Sequence, residues 1–429
     1  MKHILARDPA RAWMAIGTAS KLEMLQTATQ REIHDDKDLI SRCHWSIFIL
    51  ERLFFPQLVQ GVSSGSPFQF PQSAHRPPPL SRNVEDIAHL DGSATDDFKP
   101  DDLGINAYYI NGLSVWADIS LYLHKLRTGA IELEQPWLPN STFTKLSMKV
   151  YESESRMSDL HLLRSVHFHK RSPAEVKEQQ EYWRPWIVMQ LIFHAAPALI
   201  NHPFVHLSAT RRARLPQSRH FLQQTVDNAL FHSGWVFRLI ETCEDLLFDL
   251  HDPLIGHVVA ATATIAWLFQ FAADSNVSAR AKRGFMQCGK LLRRLALLWP
   301  HIARKVEIID ALQAIADAGV PDGEDQNRHV TLPLPELWEL LDPDAFEISH
   351  SSRINSKSSG ARGAGEPRDA RIRMSTHFVH PLDENSAGQQ SRLDGASLPT
   401  NLFTPSQEPF EQLCMDDFFF HLQPDQFQW

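Results

Sequence analysis

The first part of the chain shows apolar positions recurring with a helical period, interrupted by prolines. Residues 11–26 follow Asp8-Pro9, in which a capping residue precedes proline at the first helical position, and this pattern predicts a helix. A second helix is predicted at 41–55 and ends before Pro56. Because this segment is apolar around nearly its whole circumference, we expect a buried helix.

Further helices follow from the same periodicity and from capping signals. In "RSPAEVKEQQEYWRPW", Ser172, Pro173 and Glu175 form a capping box, and Pro185 predicts a kink or break before the helix continues into "NHPF". Asp252-Pro253 predicts another helix start. The remaining predicted helices are 106–128, 221–250, 253–273, 280–299 and a last one carrying Ile302, Val306, Ile309, Leu312 and Ala316.

The segments between and after these helices have other compositions. Residues 57–102 are rich in Pro, Ser and Asp and predict a long surface loop. Residues 349–404 are rich in Ser, Gly, Arg and Asn and predict a disordered linker, because they cannot bury enough apolar area to offset chain entropy. Residues 405–429 combine acids with phenylalanines. With no convincing strand pair, the predicted fold is all-α, with one multi-helix domain over residues 1–348.

Composition narrows the function. The chain has 429 residues and a net charge of −9, so as a whole it is not a polyanion binder. Its four cysteines are too far apart for a zinc cluster and indicate a reducing compartment. The N-terminus does not have the pattern of a signal peptide. The apolar stretch 254–273 is long enough for a membrane, but its weak hydrophobicity favours a core helix.

Two motifs suggest catalysis and are better explained otherwise. "GVSSG" at 61–65 matches a nucleophile-elbow pattern, but a helix precedes it where that motif needs a strand, so a turn is favoured. "ETCEDLLFDLHD", residues 241–252, concentrates carboxylates. Asp245 and Asp249 would share a helix face and could hold magnesium for a diphosphate substrate. We favour a solvated helix end, because no second acidic motif accompanies it.

Histidines and basic residues give similarly weak signals. Three close pairs, namely His167 with His169, His202 with His206 and His251 with His257, lack the converging third ligand of a zinc site. The face of the 280–299 helix that carries Arg283, Gln287, Lys290 and Arg294 could be a nucleic-acid or partner patch, but we favour an ordinary solvated face opposite the core stripe. "RRAR" at 211–214 is a weak nuclear-import candidate. We therefore assign no catalytic, cofactor-binding or metal-binding residue.

Several segments, taken in order, resemble the middle, or regulatory, domain of fungal zinc-cluster transcription factors. "SRCHWSIFILERL" resembles the signature helix of that family, and the matching residues are Arg42, Trp45, Ser46, Leu50, Glu51 and Arg52. "RAWMAIGTASKLEML", "RPPPLSRNVEDI", "LINHPFV", "DPLIGHVVAATATIAWLF" and "CGKLLRRLALLWPHIAR" are similar to the other segments, with His202 where Arg is common. The match spans roughly residues 7–318.

The resemblance implies a nuclear transcription regulator, not an enzyme, whose all-α body controls activity and whose segment 405–429 contacts coactivators. It also implies that the Glu51-Arg52 pair joins its helix to neighbours by charge-assisted hydrogen bonds. The six-cysteine, two-zinc DNA-binding head of the family has no counterpart here. We therefore expect no cofactor in this chain, DNA contact only through a missing head or a partner factor, and no membrane, with a homodimer left open. The alternatives are a magnesium-dependent all-α enzyme acting on a diphosphate, or a helical scaffold.

Overall fold

A computed structural model of the chain describes residues 9–29, 37–54, 69–80, 102–130, 134–213, 218–272, 274–318, 328–342, 369–374 and 379–381. These residues are mostly helical, which confirms the predicted all-α class. The helices are α1 Pro9–Thr29, α2 Lys37–Phe54, α3 Ile105–Thr128, α4 Thr142–Ser155, α5 Leu163–Val166, α6 Pro173–Glu178, α7 Gln180–Ile200, α8 Pro203–Ala213, α9 Arg219–Asp245, α10 Pro253–Phe269, α11 Ser275–Leu298, α12 Ala303–Ala318 and α13 Leu334–Leu341. Short 3-10 turns lie at Asp159–His161, Phe168–Lys170 and Pro300–Ile302.

Helix α7 lies at the centre of the body. Helices α3, α9 and α10 all pack against it, and α10 also packs against α11. Trp183 and Trp186 of α7 are completely buried, as is Trp267 of α10. Aromatic side chains of this size contribute much of the apolar area that stabilises a core. The core therefore forms around two helices that are apolar on nearly every face, α7 and α10.

Several local predictions are confirmed. Ser172 and Glu175 form the capping box at the start of α6, with the Ser172 hydroxyl accepting from the Glu175 N–H. Asp252 caps α10, with Pro253 at its first helical position. Phe285, Cys288, Leu292 and Leu295 form the buried stripe of α11, as their spacing predicts. Periodicity also gives α1, α3 and α12 to within a few residues.

The break that we gave at Pro185 as the alternative to a kink is wrong. The chain breaks at Gln179, between α6 and α7, and α7 then runs continuously through both Pro185 and Pro197. A proline inside a helix removes one hydrogen bond and crowds the preceding turn. The burial of Trp183 and Trp186 on either side of Pro185 stabilises the helix enough to outweigh that cost.

Helix α2 differs from its prediction in both length and burial. It begins at Lys37 rather than Ser41, and only Trp45 and Leu53 are buried among its described side chains. Its other apolar residues are partly exposed, and Leu39 is largely exposed. The helix therefore lies on the body, against α1 and α3, rather than inside it.

The structure contains a small sheet that we did not predict. Strands β1 Arg328–Pro333, β2 Asp369–Met374 and β3 Val379–Pro381 pair antiparallel in that order. In the register, Arg328 faces Met374 and Ile372 faces Pro381. The strands are short, and β1 and β2 are far apart in sequence with no hairpin signal between them. Both β2 and β3 fall within the segment expected to be a disordered linker.

Other predictions lie partly or wholly outside the described residues. Of the predicted loop 57–102, residues 69–80 are described and contain neither helix nor strand. Most of 349–404 and all of 405–429 lie outside the described residues, as does the "GVSSG" motif. Among the described residues, one stretch, Gln180–Ala209, is long and apolar enough to cross a membrane, and 94% of its apolar window is buried inside the body. Most of the stretch 254–273 likewise belongs to a buried core helix, α10, which ends at Phe269 rather than at residue 273.

Candidate functional site

A cavity of about 400 Å³ lies where the start of α3, the start of α7 and the turn between α9 and α10 meet. This volume is at the lower end of the range for small-molecule sites. One wall is apolar and is formed by Pro185, Ile187, Val188, Phe248, Leu250 and Ile255. The cavity therefore offers a small ligand an apolar surface that is already formed by core residues.

The turn from α9 to α10 shapes one side of the cavity. Helix α9 ends at Asp245, and Leu247 adopts a left-handed conformation with φ of 51° while its side chain is 80% exposed. The Phe248 N–H donates to the Cys243 carbonyl at 2.8 Å, which closes the helix end. Beyond it the side chains alternate, with Phe248 and Leu250 buried and Asp249 and His251 exposed. The turn thus presents both apolar and polar groups to the cavity.

Asp252 is the acidic group held most firmly in the cavity wall. Its Oδ1 accepts the Leu254 N–H at 2.8 Å, as expected for the N-cap of α10. Its Oδ2 accepts the Tyr109 hydroxyl at 3.5 Å, across from α3. Burial raises the pKa of Asp252, and the hydrogen bonds to its carboxylate offset this only in part. Burial, together with the Asp252 charge, also raises the pKa of Tyr109.

The remaining polar groups come from α3, α7 and the end of α11. Trp299 donates its Nε1–H to the His251 carbonyl at 2.6 Å, which fixes the indole beside the turn. Arg184 is exposed on α7, and its Nη2 donates to Gln180 Oε1 at 2.6 Å. Asn106 completes the polar lining.

The carboxylates of residues 241–252 do not form the arrangement that a magnesium site would need. We expected Asp245 and Asp249 to share a helix face, but α9 ends at Asp245 and Asp249 lies beyond the left-handed Leu247. Glu244 instead pairs with α11, accepting from Lys290 Nζ at 3.1 Å and lying 4.0 Å from Arg294. Only Asp249 and Asp252 of this acidic stretch line the cavity.

The three predicted histidine pairs do not come together in one site. His167 and His169 are exposed, and His251 lines the cavity alone. His202 and His206 are buried, where His202 Nε2 contacts Thr264 Oγ1 at 2.9 Å and His206 Nε2 donates to the Ile200 carbonyl at 2.8 Å. Within the described ranges, no group of three or more His, Cys, Asp or Glu side chains is placed to hold a metal ion.

The two members of the Glu51-Arg52 pair make different contacts. Burial raises the pKa of Glu51, and a hydrogen bond from Ser20 of α1 opposes that shift. Arg52 lies 4.2 Å above the ring of Phe48 on its own helix. Its Nη1 has no hydrogen-bond partner among the described residues. Glu51 thus faces α1, and Arg52 packs on Phe48 while the charge of Asp118 on α3 acts on its guanidinium.

Two of the four side chains on the basic face of α11 pair with α9. Lys290 Nζ lies 3.1 Å from the Glu244 carboxylate, and Arg294 lies 4.0 Å from the same carboxylate. Ion pairs between exposed side chains of this kind are worth at most about 1 kcal/mol each. This fits the solvated face that we favoured. The "RRAR" run begins at the end of α8, and its side chains lie outside the described part of the chain.

Sequence patterns missed most of the cavity. Asp252 was identified as a helix cap, but Tyr109 and Arg184 were seen only as ordinary helix positions, and Trp299 only as the end of an apolar stripe. Each belongs to a segment distant in sequence, and the site exists only because α3, α7 and α11 meet at the α9–α10 turn. The proline at 185, together with the acidic turn, was the only local signal available.

No known protein family, curated protein or solved structure matches this chain.

Proposed function

We propose that the chain is a transcription regulator of the fungal zinc-cluster type, not an enzyme, in which the helical body controls a C-terminal activation segment. The observation that carries this proposal is the ordered resemblance of six segments to the regulatory domain of that family. The contacts made by the residues in those segments support it, because they explain physically why such residue types recur in that order.

The signature helix and the segment before "RPPP" are joined by a tryptophan. Trp45, which is 4% exposed, donates its Nε1–H to the Gln69 carbonyl at 2.7 Å and stacks on Phe70 with ring centroids 4.8 Å apart. Ser41 donates to the same carbonyl at 3.1 Å. A Trp at this place in the signature therefore holds residues 69–80, which we call the proline segment, against α2.

The prolines of "RPPP" are held by a buried arginine. Arg171 is 6% exposed, and its Nη1 and Nη2 donate to the Pro79 and Pro78 carbonyls at 2.8 and 2.7 Å. Its Nε and Nη2 also donate to the Val166 carbonyl. An arginine with this many charge-assisted hydrogen bonds fixes the proline segment on the body.

The "LINHPFV" segment is built around a histidine cap. His202 Nδ1 accepts the Phe204 N–H at 3.1 Å, so His202 caps α8 with Pro203 at the first helical position. The Pro-led, Ala-rich helix is α10, which packs closely against α11, the helix that leads to Trp299-Pro300. Gly256 allows the Pro300–Ile302 turn after α11 to lie close against α10, since a Cβ at this position would clash with Ile302 Cδ1.

The expected partners and location follow from the same proposal. The segment 405–429 contacts a coactivator or the transcription machinery through its aromatic residues, as acidic-aromatic segments do. DNA is reached through a six-cysteine head or a partner factor, because the chain itself has a net charge of −9. The protein acts in the nucleus, needs no cofactor of its own and does not insert into a membrane, and a homodimer is left open.

A reporter assay tests the proposal. Residues 405–429, fused to an unrelated DNA-binding domain, are expected to activate transcription. Replacing Phe418, Phe419 and Phe420 together by Ala is expected to abolish activation, because these aromatic side chains supply the apolar contacts with the coactivator. The matched control replaces Gln412, Gln423 and Gln426 by Ala and is expected to remain active. A silent wild-type fusion, or equal activity of both triple variants, would contradict the proposal.

A further inference from the structure

One carboxylate oxygen in the cavity has incomplete hydrogen bonding. Asp252 Oδ1 is satisfied by the Leu254 N–H at 2.8 Å, but Oδ2 has only the Tyr109 hydroxyl at 3.5 Å among the described residues. Hydroxyl donors ordinarily lie about 2.5–3.0 Å from their acceptor, and an ionised carboxylate accepts about four hydrogen bonds. A donor supplied by a ligand would therefore stabilise the ionised form of Asp252.

The charges around the cavity favour a positive ligand. Asp249 adds a second carboxylate, and Arg184 is the opposing charge. The Arg184 side chain is exposed and already donates to Gln180 at 2.6 Å. It therefore neutralises little of the charge on the Asp252 carboxylate. The N-terminus of α10 would attract an anion, but Asp252 itself occupies that position as the cap.

The rest of the lining suits an apolar body with aromatic character. Ile187, Val188 and Phe248 form a buried wall, and the rings of Tyr109 and Trp299 also line the space. Aromatic rings attract an organic ammonium group as well as apolar atoms.

We propose that this cavity binds a small organic cation, with one ammonium group against Asp252 Oδ2 and an apolar body against Ile187, Val188 and Phe248. The binding itself is independent of any activity of the chain. Its role as the signal that regulates the helical body rests on the function proposed above.

The test compares three ligands of nearly equal shape on the purified full chain by isothermal titration calorimetry. The probes are phenethylammonium, phenethyl alcohol and phenylacetate. We expect phenethylammonium to bind at least about tenfold more tightly than the alcohol, because only the ammonium carries a positive charge and forms an ion pair with Asp252. Phenylacetate is expected to show no binding, because two carboxylates repel it. Equal binding of all three ligands, or none by the ammonium, would overturn the proposal.

Two variants locate the site. Asp252→Asn keeps a good helix cap, so the fold is retained, and it is expected to remove the preference for the ammonium over the alcohol. Asp245→Asn is the matched control, because Asp245 is an exposed carboxylate nearby that does not line the cavity. It is expected to leave all three affinities unchanged. Equal losses in both variants would mean that the ligand responds to the overall charge of the region and not to this cavity.

The reporter assay separates this inference from the proposed function. If phenethylammonium binds with the expected preference but residues 405–429 fail to activate a reporter, the ligand assignment stands and the regulatory role falls. If the reporter is activated but the ligand preference is absent, the transcriptional proposal stands and the ligand assignment falls.

Discussion

Acidification should destabilise the body through its buried neutral histidines, and His202 offers the clearest case. The Phe204 N–H donates to His202 Nδ1, so that nitrogen carries no proton, and Nε2–H donates to Thr264 Oγ1. Thr264 in turn donates to the Ala261 carbonyl at 2.6 Å. Protonating Nδ1 would break the hydrogen bond that caps α8. It would also place a positive charge on a side chain that is only 1% exposed.

The direction and size of this loss of stability follow from the pKa of each buried histidine ring. Burial lowers the pKa of His202 to about 3 and that of His206 to about 4, whereas an unfolded histidine titrates near about 6.5. The unfolded chain therefore binds protons first as the pH falls. The stability present above pH 6.5 or so is lost progressively below it, by about 1.4 kcal/mol per pH unit for each such histidine.

Urea unfolding followed by tryptophan fluorescence at about pH 7, 6 and 5 measures this slope. His202→Asn keeps an N-cap and removes one titrating ring, so its slope of unfolding free energy against pH should be lower than that of the wild type by about 1.4 kcal/mol per pH unit below about pH 6. The comparison uses slopes, so the stability that the smaller side chain itself costs does not enter.

The control replaces an exposed histidine. His167 has a φ of 48°, a conformation that Asn tolerates, so His167→Asn should fold and keep the wild-type slope. Parallel curves for wild type and His202→Asn would refute the assignment of His202 as a buried neutral cap. An equally reduced slope in both variants would refute it as well, because the effect would then not depend on burial.

Three further predictions concern the stability of the body. Trp45→Ala should lower the free energy of unfolding by about 3–5 kcal/mol in urea titrations, because it removes a buried aromatic side chain, and wild-type stability would show that residues 69–80 are not held by it. Gly256→Ala should destabilise by about 1–3 kcal/mol through contact with Ile302, while Gly234→Ala, with no atom within 4 Å of the new Cβ, should stabilise by about 0.5–1 kcal/mol. Chelator should leave the thermal midpoint unchanged, and a fall reversed by zinc would reveal a metal site.

Local signals predicted the elements well, whereas tertiary contacts decided the exceptions. The caps at Ser172 and Asp252 depend on neighbouring backbone N–H groups, so the sequence alone could locate them. Pro185 is different. The tendency of proline to interrupt a helix is outweighed there by the burial of tryptophans whose partners come from other helices. The end of α9 was also placed too late, because Leu247 adopts a left-handed conformation that its residue type does not signal.

The exposed state of α2 has a similar cause. Its composition predicts burial, and its apolar residues would suit a core position. Among the described residues, α1, α3 and the proline segment cover it, with His301 of the Pro300–Ile302 turn against Phe54, and many of its side chains stay partly exposed. Which neighbours a helix has is a property of the whole fold and cannot be inferred from its own pattern.

The proline segment shows how a sequence without regular structure can still be fixed. Proline has no N–H, so consecutive prolines offer only carbonyl acceptors and cannot satisfy them within a helix or sheet. The donors must come from elsewhere, and Arg171 supplies them at Pro78 and Pro79, while the Ile105 N–H donates to the Ala74 carbonyl at 3.2 Å. Because these donors lie on separate elements, the segment joins α2, α3 and the Val166–Arg171 turn. A proline-rich composition therefore indicates that donors are needed, and only the fold identifies them.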